Sequence, residues 1–214
     1  MRLNNCKKIS QLNKGFTLVE LIVSIAIFAI VGVAIAAFFS MSMRQYKANS
    51  NEVNVQTESQ MTWKRLESNI LITNAGIWTP NDSQIDLYRY SKGAAHEYTM
   101  TSIYYDNSGS SHNIYYQDYY LDDNNEWVVD GDSQVFASLV TNFKIELFDA
   151  EGKKIKNTDS SLAKKPAKAK ATINYEANDR KYDAENTVAI RNSVIATDNI
   201  RTIEENVEAY ENMV

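Results

Sequence analysis

An unbroken apolar segment near the amino terminus constrains this chain more than any other feature. The 19 residues 21–39 carry no charged side chain, and Ser24 and Gly32 are the only members that are not hydrophobic. At about 1.5 Å per residue, a helix of this length crosses a bilayer core of about 30 Å. The segment therefore predicts one membrane-spanning helix.

The charges around this segment predict its orientation. The first 14 residues hold four basic side chains and no acidic one, and two basic side chains follow the segment closely: Arg2, Lys7, Lys8 and Lys14 before it, Arg44 and Lys47 after it. Because an excess of basic residues stays on the cytoplasmic side, we expect a single pass with the amino terminus inside. The rest of the chain is then exported.

Glu20 stands directly before the apolar segment. A carboxylate in an apolar membrane helix costs about 2.5–3.5 kcal/mol even on a lenient insertion scale. A buried charge is tolerated only when a partner neutralises it. The sequence therefore requires a partner for Glu20.

The residues Gly15-Phe16-Thr17-Leu18-Val19-Glu20 resemble the processing site of type IV prepilins and type II secretion pseudopilins. The resemblance implies that a prepilin peptidase cuts between Gly15 and Phe16 and methylates the new amino terminus of Phe16. It also implies that Glu20 pairs with the amine of a neighbouring pilin subunit in a filament. An ammonium group is a partner that lets a buried carboxylate stay ionised.

Two other interpretations of the amino terminus remain open. A secretory signal peptide also has a basic start and an apolar region, and Ala34-Ile35-Ala36 offers a cleavage site, but its apolar region is about 7–15 residues long. A single-pass anchor outside any filament accounts for the length but not for Glu20. Lipidation of Cys6 is not expected because no apolar segment precedes it.

Loss of a leader of residues 1–15 changes the composition of the chain. It removes four of the 22 basic residues and none of the 27 acidic ones, so the net charge moves from −5 to −9. An acidic body argues against general electrostatic binding of nucleic acid or of an anionic membrane. The single cysteine, Cys6, leaves with the leader, so we expect no disulfide in the mature protein.

The pattern after the leader predicts an α+β fold that begins with a long helix. Residues 16–39 form its transmembrane and filament-core part, and residues 40–75 form an exported amphipathic part. Apolar and amide side chains at spacings of three and four predict its buried stripe: Val53, Gln56, Gln60, Trp63, Leu66 and Ile70. Asn74 and Gly76 favour a helix end, with Pro80 beyond it.

Residues 76–197 are expected to form a β-rich head. Seven runs are rich in alternating β-branched and aromatic residues and are bounded by turn residues: 85–90, 97–105, 113–121, 127–129, 143–148, 171–175 and 187–191. We expect an antiparallel sheet packed on the helix. Residues 198–214 predict a second amphipathic helix through Ile200, Ile203, Val207, Tyr210 and Val214, packed either on its own head or on another subunit.

Tyrosines are concentrated in the first strands of the head. Nine of the 13 lie between Tyr88 and Tyr120. Three doublets place one ring on each face of a strand and form a possible binding surface: Tyr104, Tyr105, Tyr115, Tyr116, Tyr119 and Tyr120. They either cover the sheet or contact a neighbouring minor pilin or a polysaccharide.

No catalytic residues, cofactor or metal site is predicted, and an enzyme is not expected. Seven lysines within residues 153–170 favour a solvated loop over a DNA-binding one, because no aromatic residue is interleaved with them. Acidic residues at 122–132 favour a turn over a calcium site, because their order does not match an EF-hand loop. His96 and His112 are expected at the surface.

A finer likeness concerns the order of the elements. The helix end at residues 63–70, the large β-rich head and the late run at residues 188–192 are similar to W-type minor pilins and J-type minor pseudopilins. This likeness implies a low-copy structural subunit that primes or tips a type IV pilus-like filament. Such a subunit lies in the cytoplasmic membrane first and in an extracellular or periplasmic filament afterwards. A pilus-associated binding subunit for DNA or glycan is the alternative.

Overall fold

A computed structural model describes residues 15–108, 112–156, 165–177, 180–192 and 194–196, together with Ile203 and Glu205. The chain divides into two compact units, of which the first ends at Asn49 and the second begins at Ser50. Helix α1 (Leu18–Ile72) contributes residues to both units.

The described part of the first unit is the apolar beginning of α1. This stretch is long and apolar enough to cross a membrane, and none of it is buried inside the protein. Phe28, for example, is 78% exposed. The predicted apolar helix is confirmed, and its uncovered surface needs lipid or another protein chain around it.

The second unit contains ten described strands in two sheets. Their bounds are β1 (Gly76–Asn81), β2 (Gln84–Tyr90), β3 (Tyr98–Asp106), β4 (Asn113–Leu121), β5 (Trp127–Ala137), β6 (Val140–Phe148), β7 (Lys154–Ile155), β8 (Lys168–Ala177), β9 (Arg180–Ala189) and β10 (Ile195–Ala196). The first sheet has the order β10-β1-β2-β3-β4-β5 and the second β7-β6-β8-β9. All pairings between these strands are antiparallel except β1 with β10. The α+β class is confirmed.

Strand β6 shows why the alternating pattern forms a half-buried strand. Phe143, Ile145 and Leu147 are buried, whereas Lys144 and Glu146 between them are partly exposed. Successive side chains of a strand point to opposite faces, so one face joins the core and the other meets solvent. The ion pair of Lys144 with Glu146, 3.0 Å long, lies on that outer face.

A single large core joins the exported part of α1 to both sheets. Buried side chains come from α1 (Val55, Leu66, Ile70), from the first sheet (Ile77, Ile85, Leu87, Ile103, Ile114, Phe136) and from the second (Phe143, Ile145, Leu147, Ile173, Tyr175). Burial of a large apolar side chain stabilises a fold by about 1.5–3 kcal/mol. This shared core holds the helix and the two sheets together.

The predicted stripe on α1 was wrong over its first three positions. Val53, Gln56 and Gln60 are exposed, and the buried face of the helix begins at Val55 and continues through Thr62. The spacing of three and four placed Gln56 and Gln60 in the predicted stripe, but their amides gain nothing from burial in an apolar core. Leu66 and Ile70 are buried as predicted.

A corner between β5 and β6 carries the chain from one sheet to the other. The carboxylate Oε1 of Glu58 in α1 accepts hydrogen bonds from the backbone N–H of Ser138, at 2.9 Å, and from its hydroxyl, at 3.0 Å. Leu139, the next residue, adopts a φ of 61°, a left-handed conformation that is uncommon for a bulky side chain. The helix thus fixes the point where the sheets separate.

The carboxyl end of α1 is satisfied from far along the chain. The side-chain amide of Asn192 donates to the carbonyl of Leu71 at 2.8 Å and also to that of Thr73. The last carbonyls of a helix have no partner within the helix, so an amide donor at this place caps it. The predicted helix over residues 198–214 lies outside the described residues apart from Ile203 and Glu205, and Ile203 is buried against Ala75 and Tyr88.

We expect Leu66→Ala to lower the free energy of unfolding of the second unit by about 2–5 kcal/mol, because it leaves a cavity in the shared core. Val53→Ala is the matched control, with an expected change of about 0.5 kcal/mol or less, because Val53 is 58% exposed. Tryptophan fluorescence during denaturation of the full chain in detergent measures both, since Trp63, Trp78 and Trp127 all lie in the second unit. Equal losses for the two variants would contradict the assigned buried face.

Candidate functional site

The first turn of α1 is closed by a reciprocal cap between Thr17 and Glu20. Glu20 Oε2 accepts hydrogen bonds from the backbone N–H and the hydroxyl of Thr17, both at 2.9 Å. In return, the N–H of Glu20 donates to Thr17 Oγ1 at 3.2 Å. Thr17 is the residue before the helix and Glu20 its third residue, which is the arrangement of a capping box.

Sequence reasoning missed this role for Glu20. The Thr-x-x-Glu spacing before an apolar run is itself the signal for a capping box. The cap orients the carboxylate and satisfies part of its hydrogen-bonding capacity, but Thr17 is neutral and leaves the negative charge in place. Within the described residues, Glu20 forms hydrogen bonds and no ion pair.

The two residues of the predicted cleavage site lie just before the helix. A Cβ atom added to Gly15 would meet no other atom within 4 Å. Phe16 is 85% exposed. Packing against the described residues therefore gives no reason for glycine at position 15.

The six tyrosines of the possible binding surface are divided between two faces of the first sheet. Tyr104 pairs with Tyr115 across β3 and β4, and their rings stack with centroids 6.1 Å apart. Tyr119 lies opposite Met100 on the same face of the sheet. We call this face, which is turned away from the shared core, the outer face.

Tyr105, Tyr116 and Tyr120 occupy the other face of the same strands. The hydroxyl of Tyr105 donates to the carbonyl of Thr141 at 2.8 Å, and that of Tyr116 donates to Gln134 Oε1 at 2.7 Å. The ring of Tyr120 stacks on His96 with centroids 3.9 Å apart. The tyrosines therefore do not form one surface.

The outer face also carries a buried acid. Asp86 is 7% exposed, and its Oδ1 accepts a hydrogen bond from the side chain of Gln84 at 3.0 Å. Burial raises the pKa of Asp86, against the lowering effect of hydrogen bonds from Ser102 and Gln84. Burial, followed by the nearby Tyr104 and Asp86, also raises the pKa of Tyr119. The outer face is thus aromatic and poor in solvated charge.

The acidic residues after β4 form a turn. Asp122 Oδ1 accepts hydrogen bonds from the N–H groups of Asn124, at 2.9 Å, and Glu126, at 2.8 Å. The hydrogen bond from Glu126 is the main cause of a lowered pKa of Asp122. These contacts show that the acidic segment at residues 122–126 is stabilised as a turn by its own side-chain hydrogen bonds.

Two lysines of the lysine-rich region form ion pairs on the second sheet. Lys154 contacts Glu146 at 2.7 Å and Asp82 at 3.5 Å, and Lys170 contacts Glu185 at 2.9 Å. Residues 157–164 of the predicted loop lie outside the described part of the chain. The described contacts leave the choice between a solvated loop and a DNA-binding loop as a prediction.

One feature that sequence reasoning missed is a polar cavity of about 450 Å³ between α1 and the inner face of the first sheet. Seven side chains of its lining are polar or charged: Arg65, Asn69, Arg89, Thr101, Tyr116, Asp118 and Gln134. The signal in the sequence is Arg89, which shares its strand face with the buried Ile85 and Leu87. A basic residue at that inward position indicates a polar environment within the core.

Comparison with known protein families finds one match, and it lies at the amino terminus. Residues 11–36 match the family described as a prokaryotic N-terminal methylation motif. This range includes Gly15, Phe16, the Thr17–Glu20 cap and most of the apolar segment. No curated protein matches the chain at a significant level. The motif and the long apolar helix that continues it support the assignment of this chain as a type IV prepilin-like protein.

Proposed function

We propose that the protein is a non-enzymatic structural subunit of a type IV pilus-like filament, made as a prepilin and cut between Gly15 and Phe16. The observation that carries the proposal is the methylation motif at residues 11–36 at the start of a helix whose apolar first part is left uncovered by the described residues. Such a surface suits a bilayer before assembly and the helices of other subunits afterwards. The first environment is the cytoplasmic membrane and the second an extracellular or periplasmic filament.

The charge of Glu20 gives a physical reason for the transfer of the helix from the membrane to the filament. Its cap by Thr17 fixes the direction of the carboxylate at the first turn of α1. The charge requires a cation in a medium where an unpaired carboxylate is costly. The methylated amine of Phe16 in a neighbouring subunit provides that cation, and pairing the two charges favours filament over membrane.

We infer from the head that the protein is a minor subunit that primes or tips the filament. It would be a subunit of the W-type pilin or J-type pseudopilin kind. Ten described strands in two sheets make a large head, and its outer face offers an aromatic surface around Tyr104, Tyr115 and Tyr119. Tyrosine buries a large area at little cost in side-chain entropy, which suits contact with a partner pilin. We assign that partner contact to the outer face.

Substitution at Gly15 tests the processing step. We expect Gly15→Ala to be cut at a reduced rate and Gly15→Glu not to be cut at all, because the requirement for a small residue comes from the prepilin peptidase. A Cβ atom at this position meets none of the described residues within 4 Å, so the Cβ that both substitutions add has room. Intact mass of the protein from cells that express the peptidase measures the loss of residues 1–15. Equal processing of the two variants would contradict the assignment.

Two substitutions separate the charge of Glu20 from its role as a cap. Glu20→Gln keeps an oxygen that accepts hydrogen bonds from Thr17 but loses the charge, and glutamine suits a capping box. Thr17→Ala removes the cap, which is worth about 0.5–2 kcal/mol, and keeps the charge. We expect Glu20→Gln to be cut normally and to enter filaments on the order of tenfold less, since about 1.4 kcal/mol of lost pairing has that effect.

Quantitative immunoblotting of sheared filaments against membranes measures incorporation, and the mass of each variant confirms cleavage. Thr17→Ala is expected to be incorporated better than Glu20→Gln. If Glu20→Gln entered filaments normally while Thr17→Ala did not, Glu20 would act as a helix cap and the intersubunit pairing would be wrong.

A further inference from the structure

The cavity between α1 and the first sheet brings together side chains from four elements. Arg65 and Asn69 come from α1, Arg89 from β2, Asp118 from β4 and Gln134 from β5. Its volume of about 450 Å³ falls within the usual range for small-molecule sites, about 300–1,000 Å³. The space is large enough for one small organic molecule.

Arg89 brings a partly buried positive charge to this cavity. Its Nη2 donates to Asn69 Oδ1 at 2.7 Å, but its Nε is buried and has no acceptor in the described part of the chain. Burial lowers the pKa of Arg89, and the nearby Asp118 acts in the opposite direction. Arginine nevertheless stays protonated in proteins. A buried N–H donor of a charged group without an acceptor costs stability unless a ligand supplies one.

Arg65 adds a second guanidinium group. Its Nη1 donates to the carbonyl of Phe136 at 3.1 Å, which is the hydrogen bond that Arg65 forms within the described residues. Asp118 is the one acidic side chain among the described lining residues, and its Oδ1 accepts a hydrogen bond from the hydroxyl of Thr101. Two cations and one anion leave the lining with one net positive charge. The cavity therefore favours a ligand with one negative charge.

Guanidinium groups match the geometry of a carboxylate, because their planar donors form two parallel hydrogen bonds with its oxygens. The other polar groups are amides and hydroxyls. The amides of Asn69 and Gln134 and the hydroxyl of Tyr116 line the same space, and the ring of Phe136 contacts that of Tyr116 at 6.3 Å between centroids. Amide and hydroxyl groups beside aromatic rings suit a ligand that carries several hydroxyls on an apolar ring face.

We propose that this cavity binds a sugar acid of one ring, with its carboxylate at Arg89 and Arg65 and its hydroxyls at Asn69 and Gln134. An inorganic anion would use the arginines but not the remaining N–H donors of Asn69 and Gln134, whose amide oxygens already accept hydrogen bonds from Arg89 and Tyr116. A neutral sugar would use those N–H donors but leave the net positive charge of the lining, two arginines against Asp118, without a counter-charge. The site is independent of the filament contacts at Glu20 and on the outer face.

Isothermal titration calorimetry of the full chain in detergent tests this site with glucuronate, glucose and sulfate as probes. Glucuronate is expected to bind at millimolar concentration or below, and to bind at least about tenfold more tightly than either other probe, since hydrogen bonds to a charged group are worth about 1.5–3 kcal/mol. An oligosaccharide that ends in glucuronate identifies the source. Tighter binding of the oligosaccharide than of free glucuronate indicates the end of a polysaccharide, and weaker binding indicates the free sugar acid.

Three arginine variants locate the binding. Arg89→Gln and Arg65→Gln should each weaken glucuronate binding by about tenfold or more, because each removes a charged donor. Arg191→Gln is the matched control, since Arg191 is exposed and lies outside the cavity. Its affinity should equal that of the unchanged protein.

Several results would overturn the proposal. They are the absence of heat with glucuronate at millimolar concentration, equal binding of glucose or sulfate, and a loss in Arg191→Gln as large as in the cavity variants. Tryptophan fluorescence checks that each variant is folded. Should Arg89→Gln not fold, Arg65→Gln decides, because Arg65 is exposed and is not one of the buried core residues.

Discussion

The charge of Glu20 at the start of an apolar helix is the constraint on which the amino-terminal half of this protein depends. Thr17 orients the carboxylate through two hydrogen bonds of 2.9 Å but does not neutralise it. The described residues leave the apolar first part of the helix that follows uncovered. We propose that a second chain meets both requirements in the filament, because it can bring a cation to the carboxylate and an apolar face to the helix. The methylation motif at residues 11–36 agrees with such an arrangement.

In the second unit, helix α1 packs against the head instead of remaining uncovered. Val55, Leu66 and Ile70 join the core of both sheets. Polar contacts then fix the geometry: Glu58 holds the corner at Ser138, and Asn192 caps the end of the helix. Apolar burial supplies most of the stability, whereas the polar contacts select one arrangement of the sheets on the helix. The cavity at Arg89 lies within this arrangement and depends on it.

The sequence was sufficient where one strong periodicity or motif decided the structure. The apolar segment, the resemblance at Gly15–Glu20 and the alternation in strands such as β6 predicted the helix, the family and the α+β class. The sequence was insufficient where the structure depends on contacts between residues far apart in the chain. Val55 replaces Val53 on the buried face because the sheets select that face. The corner between the two sheets contains the contact of Glu58 with Ser138, 80 residues away, and the cavity is lined by strands that meet only in the fold. The Thr-x-x-Glu spacing indicates the cap at Thr17 and Glu20, but from the sequence Glu20 is assigned only to an intersubunit pair.

The central claim is that this chain is a processed filament subunit. Its most direct test is the amino-terminal sequence and intact mass of the unchanged protein, recovered from membranes of cells with and without the prepilin peptidase. The account predicts a chain that begins with N-methylated Phe16 only when the peptidase is present. A chain that begins at Met1 in both cells, or one that is cut near Ala36, would contradict it.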